Sequence, residues 1–406
     1  MSRAFPRRRL LKGASLFAAG SFLPGFARRA LAADVPARRK TLVFLFLRGA
    51  LDGMQALQPD EARLRDLRPQ LALDRRDLID LGVPGFGLHP SLGALMPLWK
   101  SQTISFVHAT GSPDPTRSHF DAQDYLELGT PGVKTTAKGW IARALDATRI
   151  DDAGPLDAIA ISPRVPRSLQ GADGALAFAS LDQLRMRPLP DGKGGRDDAR
   201  AVFDALYGGA SAEEPAPRSG QLAALDLLEK KLAADTATVE YPRGPIAGSL
   251  RPLAQLIKSD VGLRVGCADA GGWDTHVAQA ATLGENLRHL GDALAAFIAD
   301  LGPRVEDVVV VAATEFGRAV RQNAALGTDH GHGSLAIVAG GGVRGGRVYG
   351  TWPGLADEQL YQGRDLAVTT DLRSVLAAAA AAQLDATDPA ELFPGFDGDP
   401  LGGLFG

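Results

Sequence analysis

The short segment GTDHGHGS concentrates side chains that can hold a metal ion or move a proton. It contains one acid and two imidazoles, Asp329, His330 and His332, in a chain with seven histidines. Gly331 and Gly333 are poor helix and strand formers, but glycine allows sharp backbone turns that can aim neighbouring imidazoles at one point. The segment therefore predicts a site built from carboxylate and imidazole groups.

Other acids and histidines follow apolar runs elsewhere in the chain. Cys267 is the only cysteine, so neither an intramolecular disulfide nor a CxxC metal site can form. Any metal must be held by oxygen and nitrogen, which suits Zn²⁺ or Mn²⁺. Ser118 and His119 form one further cluster. The predicted metal ligands are Asp52, Asp274, His276, Glu315, Asp329, His330 and His332.

Each of these clusters also has a purely structural interpretation. Asp52 precedes a glycine and could close a turn, and Asp274 could cap the following helix. Glu315 could pair with Arg318, and His119 could be an ordinary packed histidine. The two histidines of GTDHGHGS point to opposite sides if the segment is extended. They would then bind two different ions, or one would bind an ion and the other would be a hydrogen-bond donor behind it.

The elements that must position these residues alternate between strand and helix, which is typical of an α/β sheet. The run TLVFLFLRG has no polar alternation until Arg48, as expected of a strand covered on both faces. Apolar residues at helical spacing predict a helix in LGENLRHLGDALAAFIADLG, and SVLAAAAAAQL is a helix by propensity. Further predicted strands are TISFVHA, DAIAIS, GLRVGCA, DVVVVAAT and SLAIVAGG. We predict a central, mostly parallel sheet flanked by helices on both faces, with the site at its carboxyl edge.

Composition and glycine patterning argue against two classes of function. The formal net charge is −3, and the basic residues are dispersed except at the N-terminus, so no nucleic-acid partner is expected. The glycine-rich segment GGGVRGG follows a strand but opens no helix, unlike a dinucleotide-binding fingerprint. A cofactor-dependent oxidoreductase is therefore disfavoured.

Residues 1–33 are predicted to be an export signal. RRRLLKG precedes a short apolar stretch and ALAAD, whose small residues suit a signal peptidase. The apolar part is shorter than the roughly 20 residues of a spanning helix and contains Pro24, so no stable membrane span is expected. The run resembles a twin-arginine signal, which implies the twin-arginine export machinery as a partner and a periplasmic or secreted location. Residues 34–406 are predicted to form a single domain with loop-rich excursions at about 183–220.

The order of the motifs resembles that of the DUF1501 proteins, exported bacterial proteins assigned to the alkaline-phosphatase-like superfamily. The motifs are Asp52, Ser118 with His119, GWDTH, TEFGR, TDHGHG and GGGVRGGRVYGTWPGL. The resemblance extends from about residue 40 to LFPGF near the end of the chain. It implies an alkaline-phosphatase-like fold with two divalent metal ions, Zn or Mn, at the carboxyl edge of the sheet.

Carried over position by position, the resemblance implies that Asp52 binds the second metal and that Asp274 and His276 bind the first. Only Thr275 separates this Asp and His, whereas the superfamily usually separates them by three residues. This departure weakens the transfer of the superfamily's chemistry to the chain.

The later motifs also depart from the superfamily pattern. Glu315 falls where the superfamily has the acid of an Asp-His pair, but Phe316 follows it, so His330 would supply that histidine from the later loop. His332 resembles the final metal-binding histidine of the superfamily. Asp329 would be either a ligand or an acid that orients a ligand.

The resemblance also implies a hydroxyl nucleophile and a cation for the oxyanion. Ser118 lies in the corresponding segment beside His119, with Arg117 available to hold an oxyanion. Thr116 is an alternative nucleophile, and another is a site with no covalent nucleophile. The structural interpretation of these hydroxyls is that they cap the helix that begins near HFDAQDYLEL.

Together these implications predict an exported, metal-dependent hydrolase of phosphate or related oxyanion esters such as sulfate esters. The ester would be carried by a small molecule or a polymer. The departures in DTH and EFG keep a second hypothesis open, in which the chain is a non-catalytic exported protein that uses the same scaffold for metal binding or structure.

Overall fold

The computed structural model describes residues 39–149, 156–179 and 236–406. The predicted export signal at 1–33 and the predicted excursions at 183–220 lie outside the described residues. The strands are β1 (Thr41–Leu47), β2 (Leu57–Pro59), β3 (Ile79–Asp80), β4 (Phe86–Leu88), β5 (Ile104–Gly111), β6 (Ala158–Ile161), β7 (Leu176–Phe178), β8 (Val265–Ala270), β9 (Val308–Ala313), β10 (Arg318–Gln322), β11 (Thr328–His330), β12 (Ser334–Gly340), β13 (Val348–Tyr349) and β14 (Thr370–Asp371). The α-helices are α1 (Gly53–Ala56), α2 (Ala62–Leu67), α3 (Met96–Lys100), α4 (His119–Leu128), α5 (Trp140–Ala147), α6 (Pro245–Lys258), α7 (Gln279–Leu301), α8 (Leu372–Leu384) and α9 (Pro389–Leu392).

The main sheet has the strand order β13-β5-β12-β9-β1-β8-β6-β7, and β14 also pairs with β5. Its pairs are parallel except those of β12, which runs antiparallel to both β5 and β9. Because β12 runs against its neighbours, its first residue lies at the edge where β5 and β9 end. A segment that precedes β12 therefore reaches the same edge as segments that follow the parallel strands.

Helices cover both faces of this sheet. Along β1, Val43 and Leu45 belong to the core that includes apolar residues of α6 and α7. Leu42 and Phe44 belong to the opposite core, which includes apolar residues of α5 and α8. All seven residues of β1 are buried, as expected of a strand covered on both sides. The predicted α/β fold with a mostly parallel central sheet and helices on both faces is confirmed, as are the six predicted strands and both predicted helices.

Two small sheets lie beside the main one. β10 and β11 form an antiparallel pair in which Arg318 lies opposite His330. The other small sheet has the order β2-β4-β3. The β10-β11 pair carries part of the predicted site, since Asp329 and His330 belong to β11. Among the described residues, no helix combines the length and apolar character needed to cross a membrane.

The glycines of GTDHGHGS act by allowing close backbone approach. A Cβ on Gly331 would lie 2.2 Å from the carbonyl carbon of Arg318, and one on Gly333 would lie 2.8 Å from the carbonyl oxygen of Leu366. Neither glycine has a positive φ, so a left-handed backbone conformation is not the reason for glycine here. The small residues instead let this segment lie directly against β10 and its neighbours.

Candidate metal centre

Three side chains from separate loops converge at the carboxyl edge of the sheet. His119 begins α4, Asp274 lies in the segment after β8, and His330 ends β11. Each offers one donor atom, and these atoms all lie within 4.8 Å of one another. The Nε2 atoms of His119 and His330 are 3.0 Å apart, and His330 Nε2 is 3.1 Å from Asp274 Oδ1. These three residues could hold a metal ion.

His276 extends the group from the other side. Its Nε2 lies 2.9 Å from His330 Nε2 and 2.9 Å from Asp274 Oδ1. Two overlapping triads therefore share Asp274 and His330, one completed by His119 and the other by His276.

The second nitrogen of each imidazole faces an acceptor. Nδ1 of His330 lies 2.8 Å from the Arg117 carbonyl oxygen, which can only accept, so Nδ1 carries the proton. Nδ1 of His119 lies 2.8 Å from Glu315 Oε1, and Nδ1 of His276 lies 3.5 Å from an oxygen of Asp329. A neutral imidazole that donates from Nδ1 presents a lone pair at Nε2. All three lone pairs are thus directed toward the same small volume.

Asp274 is held in its ionised form by Arg318. The Nη2 atom of Arg318 lies 2.7 Å from Asp274 Oδ1. Burial opposes ionisation of the carboxyl group, but the hydrogen bond and charge of Arg318 outweigh it and lower the pKa of Asp274 to about 2. Arg318 itself is fully buried and also donates to the carbonyl oxygens of Gly49, Ala50 and Trp273. The carboxylate is therefore charged and fixed in position at neutral pH.

Glu315 contacts the cluster through His119, on the Nδ1 side of that ring. Its carboxylate accepts hydrogen bonds from the Gly49 backbone (2.9 Å), from Gln123 Nε2 (2.9 Å) and from Thr314 Oγ1 (2.9 Å). Burial opposes its ionisation, but the hydrogen bonds from His119, Gln123 and the backbone lower the pKa of Glu315 below its usual value. The same hydrogen bond with Glu315 raises the pKa of His119. Glu315 is placed to orient His119 rather than to reach an ion itself.

Gly49 permits this arrangement because it lies where two loops meet. Its φ is +116°, in the region that favours glycine. A Cβ at this position would lie 2.8 Å from the backbone nitrogen of Asp274. A larger residue would therefore separate the loop after β1 from the loop that carries Asp274.

The donor set fits a divalent transition metal. Zn–N distances of about 2.0–2.1 Å place adjacent donors of a tetrahedral site about 3.3 Å apart, close to the observed separations of 2.9–3.5 Å. Imidazole held by a carboxylate or carbonyl behind it is the usual arrangement of metal-bound histidine. The side chains of His119, His276, His330 and Asp274 are 22–46% exposed, so a solvent molecule or substrate can reach them.

The structure does not bring Asp52 to this cluster. Its side chain is fully buried and forms an ion pair with the fully buried Arg68, with 2.8 Å between Nη1 and Oδ2. It also caps α1, with Oδ1 accepting from the Gln55 backbone at 3.1 Å. The structure therefore contradicts the prediction that Asp52 is a metal ligand, because hydrogen-bond donors engage both of its carboxylate oxygens.

His332 also lies outside the cluster, although His330 lies within it. Its ring is buried and stacks on Tyr361, with 4.2 Å between ring centroids. Burial lowers the pKa of His332. The structure contradicts the predicted ligand role of His332: His330 lies beside Asp274 and His276 instead, because the two residues of the extended segment point to opposite sides.

The residues predicted to be catalytic have different surroundings from those expected. Ser118 is the N-cap of α4, and its Oγ accepts from the Asp121 backbone at 3.5 Å, as in the structural interpretation. The guanidinium group of Arg117 pairs with the buried Asp365, with 2.9 Å between Nε and Oδ2. His119 belongs to the donor set itself. Asp329 lies on the Nδ1 side of His276, which fits the predicted role of an acid that orients a ligand.

Gln123 and Asn323 are among the residues of the site that were not singled out in the sequence. Gln123 lies four residues after His119 and therefore on the same side of α4, so its spacing was a usable signal. Asn323 donates to Asp329 Oδ1 at 3.1 Å and to the His276 carbonyl at 3.0 Å. The hydrogen bond from Asn323 to the Asp329 carboxylate is the main cause of the lowered pKa of Asp329. No local pattern distinguishes Asn323 from an ordinary loop residue.

Comparison with known proteins places the chain in a family. The family model described as "Protein of unknown function (DUF1501)" matches residues 78–394. The chain belongs to the DUF1501 family. The matched range includes His119, Asp274, His276 and His330, and begins after Asp52. A search of curated proteins found no match.

Two solved structures show distant likeness. The lipoteichoic acid synthase LtaP from Listeria monocytogenes is 8% identical, with a TM-score of 0.36, and the alignment covers 92% of this chain and 76% of that one. The PH0037 protein from Pyrococcus horikoshii is 12% identical, with a TM-score of 0.30, and the alignment covers 76% of this chain and 89% of that one. Scores this low support neither a shared fold nor a shared activity.

Proposed function

We propose that this DUF1501 protein is an exported, metal-dependent hydrolase of phosphate or related oxyanion esters. The observation that carries the proposal is the convergence of imidazole Nε2 atoms on Asp274, each imidazole having its Nδ1 directed at an acceptor. Without a cation, lone pairs and a carboxylate would repel one another at these distances. We further assign the chain to the alkaline-phosphatase-like superfamily, an assignment that the mostly parallel sheet and the position of the cluster at its carboxyl edge support.

The proposed ligands are His119, Asp274 and His330, with His276 as the fourth. Zn²⁺ or Mn²⁺ suits this mixture of nitrogen and oxygen. A divalent cation there supplies Lewis-acid chemistry, since it polarises an ester oxygen and makes a water molecule more acidic. The resemblance implies two ions, and that number remains a prediction that metal stoichiometry measures.

The residues around the cluster prepare it for this chemistry. Glu315 and the Arg117 carbonyl hold the Nδ1 protons of His119 and His330, so that both rings keep the same tautomer. Arg318 holds Asp274 charged and in place. A site fixed in this way needs little rearrangement when it binds a charged group.

Arg364 is the cation best placed to receive an oxyanion. Its Nη1 donates to the His330 carbonyl at 3.0 Å and to Asp365 Oδ1 at 3.0 Å. Its side chain is 41% exposed, so a guanidinium group anchored beside a proposed ligand stays accessible. Arg117, which the sequence favoured for this role, is less exposed and pairs with Asp365, and Arg318 is fully buried and pairs with Asp274.

One observation favours the alternative of a non-catalytic metal-binding protein. Ser118 serves as a helix cap and Arg117 is paired, so the predicted nucleophile and oxyanion cation are not directed at the cluster. In that case the chain would bind metal without turnover. A hydrolase without a covalent nucleophile, using water directly, fits the same geometry.

Metal analysis followed by a substrate screen separates these functions. The full chain, folded in the cytoplasm, is loaded with Zn²⁺ or Mn²⁺, and the bound metal is measured by elemental analysis. The His119→Ala variant and a matched control on the surface, His289→Ala, are measured in the same way. Aryl phosphates, phosphodiesters and aryl sulfates are then tested. Turnover that is lost in His119→Ala supports the hydrolase, metal without turnover supports the binding protein, and no metal in the parent overturns both.

We also propose that the chain reaches the periplasm or the exterior through the twin-arginine machinery. The support is the RRRLLKG run and the small residues of ALAAD. Substituting Arg7 and Arg8 by lysine should retain the protein in the cytoplasm, as measured by cell fractionation. Export of the lysine variant at the level of the parent would refute the assignment.

A further inference from the structure

Gln279, the first residue of α7, joins three separate segments through its side-chain amide. The side chain is fully buried. Its Nε2 donates to Asp52 Oδ2 at 2.7 Å, and its Oε1 accepts from Thr275 Oγ1 at 3.1 Å and Thr328 Oγ1 at 2.6 Å. Because a carboxylate only accepts, the amide nitrogen must face Asp52 and the amide oxygen must face the two hydroxyls. The orientation of the amide is therefore determined by its partners.

Both threonines belong to segments that carry proposed ligands. Thr275 lies between Asp274 and His276, and Thr328 lies two residues before His330 on β11. The backbones of the two segments also meet, with Thr328 N donating to the Thr275 carbonyl at 3.4 Å. A single amide oxygen thus links the Asp274-His276 segment to the segment that ends in His330.

The other end of the amide is fixed by a buried charge pair. Asp52 Oδ2 also accepts from Arg68 Nη1, and Arg68 donates from Nε to the Val320 carbonyl at 2.7 Å and from Nη2 to the Ala319 carbonyl at 2.8 Å. Ala319 and Val320 belong to β10, the partner strand of β11. Removing two charges from water is costly unless their geometry and hydrogen bonds compensate. The hydrogen bonds of this pair connect Gln279 to the same small sheet that presents His330.

We propose that Gln279 is a positioning residue that fixes the separation of His276 and His330, with the Asp52-Arg68 pair holding its amide in register. The role in metal affinity rests on the proposed function, whereas the placement of the two imidazoles does not. Asp52 then acts on the cluster indirectly, by holding the amide of Gln279 in place. This positioning also accounts for how two segments far apart in the chain hold Nε2 atoms 2.9 Å apart.

The test compares Gln279→Met with a matched control, Gln383→Met. Gln383 is also a buried glutamine in a helix, but it lies on α8, remote from β11. Imidazole ¹H–¹⁵N spectra of the metal-free full chain report the surroundings of His276 and His330. The Zn²⁺ dissociation constant and the absorption spectrum of the Co²⁺ form report the donor geometry.

Gln279→Met should shift the imidazole resonances of His276 and His330, weaken Zn²⁺ binding about 10-fold or more, and change the Co²⁺ spectrum. Gln383→Met should do none of these. Thr328→Val, which is similar in shape and removes one donor, should shift the same resonances with a smaller loss of affinity. It serves as the test if Gln279→Met fails to fold.

The proposal is overturned if either Gln279→Met or Thr328→Val is folded and keeps the imidazole spectrum of the parent. It is also overturned if the control shifts the same resonances as strongly. If the parent binds no metal, the proposed function fails, while the metal-free imidazole spectra still decide whether Gln279 positions the histidines.

Discussion

Nδ1 of His119 lies 2.8 Å from Oε1 of Glu315, although 196 positions separate the two residues in the chain. His119 follows β5 by way of a loop, and Glu315 follows β9 after Thr314, so both reach the carboxyl edge of the sheet. The carboxylate fixes the tautomer of the ring and directs Nε2 at His330 and Asp274. A carboxylate behind a histidine raises the basicity of that histidine toward a metal.

Replacing Glu315 by glutamine should weaken metal binding by about 10- to 100-fold, the usual effect of losing a group behind a ligand. The amide is similar in size but lacks the charge that holds the Nδ1 proton. Titration calorimetry with Zn²⁺ measures the change, with the exposed Glu391→Gln as the control. An affinity equal to that of the parent would show that Glu315 does not support His119 as a ligand.

His330 and His332 should respond differently to alanine substitution. His330→Ala removes a donor shared by both triads and should abolish stoichiometric metal binding. His332→Ala removes a ring stacked on Tyr361, so it should keep the metal and cost about 1–2 kcal/mol of stability. Elemental analysis and urea unfolding measure the two effects. Loss of metal in a folded His332→Ala, with retention in His330→Ala, would reverse the assignment.

Much of the fold could be predicted from the sequence because it depends on long apolar runs. The run at β1 is apolar from Leu42 to Leu47 and is buried on both faces, which leaves few alternatives to a central strand. The antiparallel direction of β12 could not be predicted from its apolar run. The apolar pattern of SLAIVAGG is the same in either direction, and the direction is set by its pairing with β5 and β9.

The candidate site was predicted less completely, since ligand identity depends on side-chain direction. Asp52 and Asp274 both follow buried strands, but only Asp274 points into the cleft, whereas Asp52 turns toward Arg68. Arg68 lies 16 positions away on a segment with no distinguishing pattern. Likewise, the alternation of His330 and His332 predicted opposite directions, but not which of the two would face Asp274.

Substituting Arg364 by alanine should reduce the affinity of the metal-loaded protein for inorganic phosphate about 10-fold or more, because it removes a charged hydrogen-bond donor beside His330. The metal content of the variant should equal that of the parent, since Arg364 is not one of the proposed metal ligands. Arg321→Ala, on the exposed part of β10, is the control. Equal phosphate affinities in the parent and in both variants would exclude Arg364 from oxyanion binding.

The Asp52-Arg68 pair should show strong energetic coupling. Either Asp52→Asn or Arg68→Met leaves a buried charge without its partner and should destabilise the fold by about 3–5 kcal/mol. The double variant should cost about 1–3 kcal/mol less than the sum of the two single variants. Denaturant unfolding of all four proteins completes the cycle. Strict additivity would mean that the pair makes no direct contribution.

His108 should make the stability of the fold depend on pH below neutrality. Burial lowers the pKa of His108 from 6.5 to about 4, and its Nε2 lies 2.9 Å from the Leu57 carbonyl oxygen. Below pH 6.5 the unfolded chain takes up a proton that the folded chain does not accept until about pH 4. Folding is therefore disfavoured increasingly as the pH falls through this range, by about 2 kcal/mol at pH 5.

A glutamine at this position keeps a hydrogen-bond donor but cannot titrate. The free energy of unfolding of His108→Gln should therefore decrease by about 2 kcal/mol less than that of the parent between pH 7 and pH 5. Urea unfolding at both pH values gives the difference, and other groups contribute equally to both proteins. The same decrease in parent and variant would show that His108 becomes charged in the folded protein.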